Sequence, residues 1–135
     1  MTMDISQSLE KIYSASDLIG KQFYQQFFAD CPEAVPFFDG LDMERQAVVV
    51  TMALTLVERH FVTPFEPSEA YFRYLGTQHR DLGIPTDMYP KWVESMLKTL
   101  AAVHGDDWND RLCEQWNAGF EIAIEQMLIG YELPI

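Results

Sequence analysis

The residue in this chain best suited to chemistry is His79, within Leu75-Gly76-Thr77-Gln78-His79-Arg80-Asp81-Leu82-Gly83-Ile84-Pro85. An imidazole changes charge near neutral pH and is the commonest metal-ligating side chain. The stretch reads as the end of a helix, with Gly83 as the stop and Pro85 keeping the helix from resuming. Leu75 stands four residues before His79 and Leu82 three after, a spacing that predicts one shared apolar face. A neutral imidazole among apolar groups can bind a metal through one nitrogen while backbone or a hydroxyl holds the other. A lone histidine on an apolar face is more often a core residue satisfied by a hydrogen bond. Choosing between these readings requires knowing what other elements bring to the same place.

The hydrophobic pattern is helical nearly throughout and offers no clear strand, so the class is all-α, one packed helical domain. Ser6 or Ser8 opens a first helix that runs to about Leu18, with Ile5, Leu9, Ile12, Ala15 and Leu18 or Ile19 as its apolar stripe. Gly20 permits a bend or a close approach. A second helix carries Phe23, Tyr24, Phe27 and Phe28 and ends at Cys31-Pro32. A short helical turn from Glu33 to Phe38 precedes the break at Asp39-Gly40. Asp42 caps a long helix from Met43 to about His60. The β-prone Val48-Val49-Val50 run falls inside it, because the periodic segment is too long for a strand. Pro67 suits the first turn of the helix bearing Tyr71, Phe72, Leu75 and His79. Thr86 or Asp87 caps the next, which carries Tyr89, Trp92, Met96 and Leu100 and closes at Gly105. The last helix runs from Trp108 to about Leu128.

A chain of 135 residues, 48% of them hydrophobic, suits a single domain over residues 1–135 with one core. Nine phenylalanines suit packing around something flat, and equally an ordinary core. The net charge of −12 argues against DNA, RNA and anionic membranes as partners, because like charges repel. No apolar run approaches the roughly 20 residues of a membrane span. Met1-Thr2-Met3-Asp4-Ile5 lacks the basic start and apolar run of a signal peptide. Cys31 and Cys113 share no metal-ligand spacing and fit free thiols in a reducing compartment, so the expected location is the cytoplasm. Nucleophile elbows, phosphate loops, HExxH pairs and cysteine-rich zinc motifs are all missing from the sequence.

Three pieces in order, at fitting intervals, resemble the globin superfamily, in particular bacterial single-domain globins and the haem domain of flavohaemoglobins. The first is His79-Arg80-Asp81-Leu82-Gly83-Ile84-Pro85 followed by Tyr89, similar to that group's helix F, turn and early helix G. The second is Phe23-Tyr24-Gln25-Gln26-Phe27-Phe28 with Pro32-Glu33 and Phe37-Phe38, which resembles helix B and its aromatic corner. The third is Asp42-Met43-Glu44-Arg45-Gln46 with Val50 a turn later, similar to the start of helix E. The resemblance covers essentially the whole chain. It implies a globin fold, helices A-B-C-E-F-G-H around a haem pocket, and haem b as cofactor.

Roles follow from the resemblance residue by residue. His79 is implied as the proximal iron ligand and Phe38 as the ring stacked on the porphyrin. Tyr24 is implied over the iron, donating its hydroxyl to bound dioxygen, with Gln46 approaching the same ligand and Val50 as an apolar wall. Tyr89 is implied on the proximal side, orienting His79, and Ile84 among the cofactor contacts. Haem iron needs one strong axial nitrogen and an open opposite face. His60 and His104 lie near helix ends and do not match the helix-E position, so a second imidazole on iron is not expected. Taken singly, Tyr24, Gln46, Phe38 and Tyr89 each read as ordinary core or helix-surface residues; their joint placement with His79 favours the haem reading.

Flavohaemoglobins place a glutamate of helix H near the proximal histidine. Counting from Trp116, that position falls near Leu133 here, and neither Glu125 nor Glu132 aligns with it. A weaker proximal push favours ligand binding over peroxide-type chemistry. No flavin or nicotinamide domain follows Ile135, so turnover is expected to need a separate reductase. The expected function is reversible binding of dioxygen, with carbon monoxide and nitric oxide as further ligands and nitric oxide oxidation to nitrate as the attached chemistry. The alternatives are a haem-based gas sensor or regulatory module, and a globin-fold interaction domain without haem.

Overall fold

The computed structural model describes residues 3–15 and 19–134. Six α-helices follow in order: α1 (Ile5–Ser14), α2 (Ile19–Asp30), α3 (Met43–Val62), α4 (Glu66–Asp81), α5 (Met88–His104) and α6 (Asp110–Tyr131). Two 3-10 segments join them, Pro32–Phe38 between α2 and α3 and Gly105–Asp107 between α5 and α6. No strand occurs among the described residues, and no described helix is long and apolar enough to cross a membrane.

Local chemistry explains most boundaries. The Asp42 carboxylate accepts the Glu44 backbone N–H at 3.0 Å and so caps α3, as its position predicts. Helical periodicity rules the valine run: Val50 is buried while Val48 and Val49 are exposed. Four expectations need correction. The α1 cap is Asp4, not Ser6 or Ser8: its carboxylate accepts the Gln7 N–H at 2.8 Å, and Gln7 returns the bond to the Asp4 N–H at 2.9 Å. That helix ends at Ser14, and Leu18 lies outside the described residues. The last helix opens at Asp110 with Asn109 as its cap and continues three residues past Leu128, to Tyr131. Asp87 stands at the α5 N-cap position but makes no side-chain capping bond.

The core is built from α2, α5 and α6, with Phe23, Phe27, Met96, Leu100, Leu112, Trp116 and Phe120 almost fully buried. Ser8 is buried against it. Its hydroxyl lies 2.6 Å from His104 Nε2 and accepts the Trp116 indole N–H at 2.9 Å, while His104 Nδ1 meets the Leu100 carbonyl at 2.7 Å. His60 is likewise buried, against the Ser68 hydroxyl. Two of the chain's three histidines are therefore buried packing residues, His104 bonded at both ring nitrogens and His60 at Nδ1.

The closest packing is between α4 and α6. A Cβ on Gly76 would stand 2.0 Å from the Met127 carbonyl oxygen, and one on Gly130 2.2 Å from the Arg73 carbonyl oxygen. The two backbones meet at these glycines, and that fixes the height and rotation of α4 one turn before His79.

Candidate functional site

His79 sits near the C-terminus of α4, and a Schellman closure fixes its backbone. Gly83 takes φ +80°, in the left-handed region that favours glycine. The chain reversal lets the Ile84 N–H reach the His79 carbonyl at 3.0 Å and the Gly83 N–H reach the Arg80 carbonyl at 2.9 Å. Leu82 keeps helical backbone angles and its N–H bonds the Gln78 carbonyl at 3.1 Å. It is nevertheless 65% exposed, so the shared apolar face its spacing predicts is not buried at that end. Leu75 and His79 both line a cavity that Leu82 does not line.

The same cavity is lined by every residue the sequence singles out: Tyr24 from α2, Phe38 from the 3-10 segment, Gln46 and Val50 from α3, His79 from α4, Ile84 from the turn, and Tyr89 from α5. The rest of the wall includes Phe72, Trp92, Phe120, Ala123 and Met127, which the sequence places on helices as core residues without assigning them to the site. The cavity encloses about 210 Å³ and is open on one side. A larger space, about 580 Å³, is a shallow groove over α5 and α6 rimmed by Glu94, Glu121 and Glu125, with no histidine or cysteine in its lining.

On the proximal side, His79 Nδ1 lies 2.8 Å from the Tyr89 hydroxyl, and the rings are stacked with centroids 6.0 Å apart. Nε2 has no hydrogen-bond partner among the described residues. No buried polar side-chain atom is left unpaired there either, so Nε2 is open to the cavity. Burial pushes the His79 pKa below its ordinary value, favouring the neutral imidazole that a metal needs.

Tyr89 in turn lies 3.1 Å from the Tyr131 hydroxyl, which donates to the Ile84 carbonyl at 2.8 Å. Sequence reasoning missed Tyr131. It searched for an acid near Leu133, but Leu133 and Glu132 are exposed and Glu125 lies on the groove. The usable signal was spacing: Ile124 and Met127 line the cavity, and Tyr131 follows them by seven and four residues on one helical face.

Across the cavity lining, Tyr24 is 7% exposed and packs edge-on to Phe38 at 5.1 Å and to Phe23 at 5.0 Å. Its hydroxyl has no protein partner among the described residues and is open to the cavity. Burial raises its pKa well above the ordinary phenol value, so it is a neutral donor. Gln46 is half-buried at the same wall. Groups of three or more His, Cys, Asp or Glu that could hold a bare metal ion are absent among the described residues. The donor set instead fits a metal carried by a planar apolar group: one open imidazole nitrogen, aromatic and aliphatic walls, and one free hydroxyl. Ligand pockets usually hold roughly 300–1,000 Å³, so a macrocycle would need the open side as well as the enclosed space.

The described residues thus form an all-helical fold that places one open imidazole nitrogen and one unpaired hydroxyl in the same apolar cavity. The comparisons agree with that fold. The globin family model matches residues 21–127, and the chain belongs to that family. A flavohemoprotein from Halalkalibacterium halodurans is 24% identical over 134 residues; the match takes in 92% of this chain and 32% of that protein, so the chain spans about a third of its length. A Pseudomonas aeruginosa PAO1 protein, described as structurally highly homologous to a human hemoglobin, superposes with a TM-score of 0.83. It is 21% identical, with 94% of this chain and 95% of that one covered. The helices α1 to α6, with the Pro32–Phe38 segment, correspond to A, B, E, F, G and H, with C as that segment.

Proposed function

We propose that residues 1–135 form one globin domain that holds haem b through His79 Nε2 and reversibly binds dioxygen. The observation that carries this is the divided imidazole: Nδ1 is tied to Tyr89 while Nε2 faces an apolar cavity without a partner. Phe38, Val50 and Ile84 supply apolar contact to the cofactor, and Tyr89 orients the ligand. Bound haem supplies an iron with one open position for a diatomic gas. Tyr24 and Gln46 are the polar groups at that position. A dioxygen ligand there would carry partial negative charge, and the neutral Tyr24 hydroxyl, which has no protein partner among the described residues, would be the donor to it. Carbon monoxide and nitric oxide are similar in size and fit the same space. Oxidation of nitric oxide to nitrate takes one nitric oxide, one dioxygen and one electron, the electron coming from a reductase. The two free thiols, Cys31 and Cys113, are in keeping with a cytoplasmic protein.

The test is ligand release from the haem-loaded protein. A hydrogen bond to a partly charged acceptor is worth about 1.5–3 kcal/mol, or roughly ten- to a hundredfold in rate when it is lost on release. Tyr24→Phe is expected to speed dioxygen release by at least about tenfold and carbon monoxide release by less. Gln46→Leu is expected to act in the same direction more weakly. Unchanged dioxygen release in both variants would remove the roles given to Tyr24 and Gln46, and failure of the ferrous haem-loaded protein to form a dioxygen complex would remove the dioxygen-binding assignment.

A further inference from the structure

We infer that Tyr131 is a positioning residue: through Tyr89 it fixes the His79 proton on Nδ1, leaving Nε2 as the coordinating nitrogen of a neutral imidazole. The inference follows from counting protons along three hydrogen bonds. The Ile84 carbonyl has no proton, so the 2.8 Å bond to it uses the single hydroxyl proton of Tyr131. Tyr131 then has none to offer Tyr89, and the 3.1 Å bond between the hydroxyls uses the proton of Tyr89. The Tyr89 oxygen can therefore only accept at its 2.8 Å contact with His79, so Nδ1 is the donor. A neutral imidazole has one N–H, which leaves the Nε2 lone pair bare and open to the cavity.

The end of the chain matters as much as its direction. A carboxylate in that place would draw the Nδ1 proton toward itself and give the ring more anionic character. Here the terminus is a peptide carbonyl, with two neutral phenols between it and the ring. Burial raises the pKa of both Tyr89 and Tyr131, which keeps them protonated. The fold also builds the position of Tyr131. Arg80, next to His79 in sequence, donates to the Gly130 carbonyl at 3.4 Å and to the Leu133 carbonyl, tying the end of α6 to α4 on both sides of Tyr131.

The orienting and basicity parts of this inference rest on the haem reading, but the tautomer does not, so the test has two arms. In the cofactor-free protein, nitrogen NMR of the His79 ring is expected to show the proton on Nδ1. Tyr131→Phe frees the Tyr89 proton to turn toward Nδ1, so the Nδ1-H to Nε2-H ratio is expected to fall about three- to tenfold. A proton on Nε2 in the unmodified protein, or an unchanged ratio in Tyr131→Phe, overturns the inference whether or not haem binds. In the haem-loaded protein, Tyr131→Glu is expected to raise the iron–histidine stretching frequency and lower the reduction potential, and Tyr131→Phe to do neither. A merely structural role for Tyr131 predicts the same direction for both variants and overturns the inference too. Failure of the unmodified protein to bind haem overturns the proposed function and leaves the tautomer measurement to decide this one.

Discussion

Gly76→Ala tests whether backbone contact between α4 and α6 sets the site. The new Cβ would lie 2.0 Å from the Met127 carbonyl oxygen and 2.8 Å from its carbon, both backbone atoms that no rotamer can move. Real Cβ contacts essentially never fall below 3.0 Å, so α4 must retreat from α6 by at least roughly 1 Å. A gap of that size forfeits about a quarter to a half of the dispersion attraction across the contact. Overpacking of this kind costs about 1–3 kcal/mol, which for a domain of this size is roughly 3–12 °C in melting temperature. The site should suffer separately. The Tyr89–Tyr131 bond is 3.1 Å and the His79–Tyr89 bond 2.8 Å, so a retreat of about 1 Å stretches at least one of them past the limit of a hydrogen bond. Losing it is worth roughly two- to tenfold in haem affinity. Thermal unfolding of the cofactor-free variant and haem titration measure the two effects. A variant with unchanged melting temperature and unchanged haem affinity would show that the close approach does not position His79.

Other consequences follow from capping and from the buried histidine pair with the core. Asn109 caps α6 by accepting the Leu112 N–H at 2.9 Å, so Asn109→Ala is expected to cost about 1 kcal/mol in urea unfolding, with dioxygen release unchanged; an effect below the error of the measurement would remove the capping role. Burial depresses the His104 pKa in the folded chain, so the unfolded chain binds more protons as pH drops. Its contribution is whole above the unfolded value near 6.5 and is lost as pH falls below it. The cofactor-free protein is therefore expected to lose stability between about pH 7 and pH 5, with His79 acting in the same direction, and His104→Gln to show a shallower slope. Equal slopes in the two proteins would refute this.

Much of the fold was legible because glycine, proline and capping residues punctuate the chain where the backbone turns. Cys31-Pro32, Asp42, Pro67 and Gly83 all act in the structure as their chemistry predicts. Gly20 also makes the close approach its position allowed, since a Cβ there would stand 2.4 Å from the Ala47 Cα. The misses come from reading too locally. Ser8 reads as a helix opener by type, but tertiary packing takes its hydroxyl for His104 and Trp116, and the Asp4–Gln7 box does the capping. Leu82 keeps its helical position three residues after His79, but it is exposed, because spacing gives a direction and not a neighbour to pack against. Tyr131 was hidden because a helix ending near Leu128 leaves it in a tail, whereas α6 runs on and brings it to Tyr89. A search for an acid also cannot find a phenol that ends its chain on a backbone carbonyl, because that partner is invisible to side-chain type.

The most direct test is the absorption spectrum of the purified protein with haem, in ferric, ferrous and ferrous carbon monoxide forms, beside His79→Ala. His60, held at Nδ1 by Ser68, and His104, held by Ser8 and Leu100, do not line the cavity, so neither is placed to replace the lost imidazole. The unmodified protein is expected to bind haem with a five-coordinate ferrous spectrum that carbon monoxide converts, and His79→Ala to lose haem or hold it weakly. A histidine-ligated five-coordinate ferrous spectrum retained in His79→Ala, or no haem uptake by the unmodified protein, would contradict the assignment of this cavity as a haem site ligated by His79.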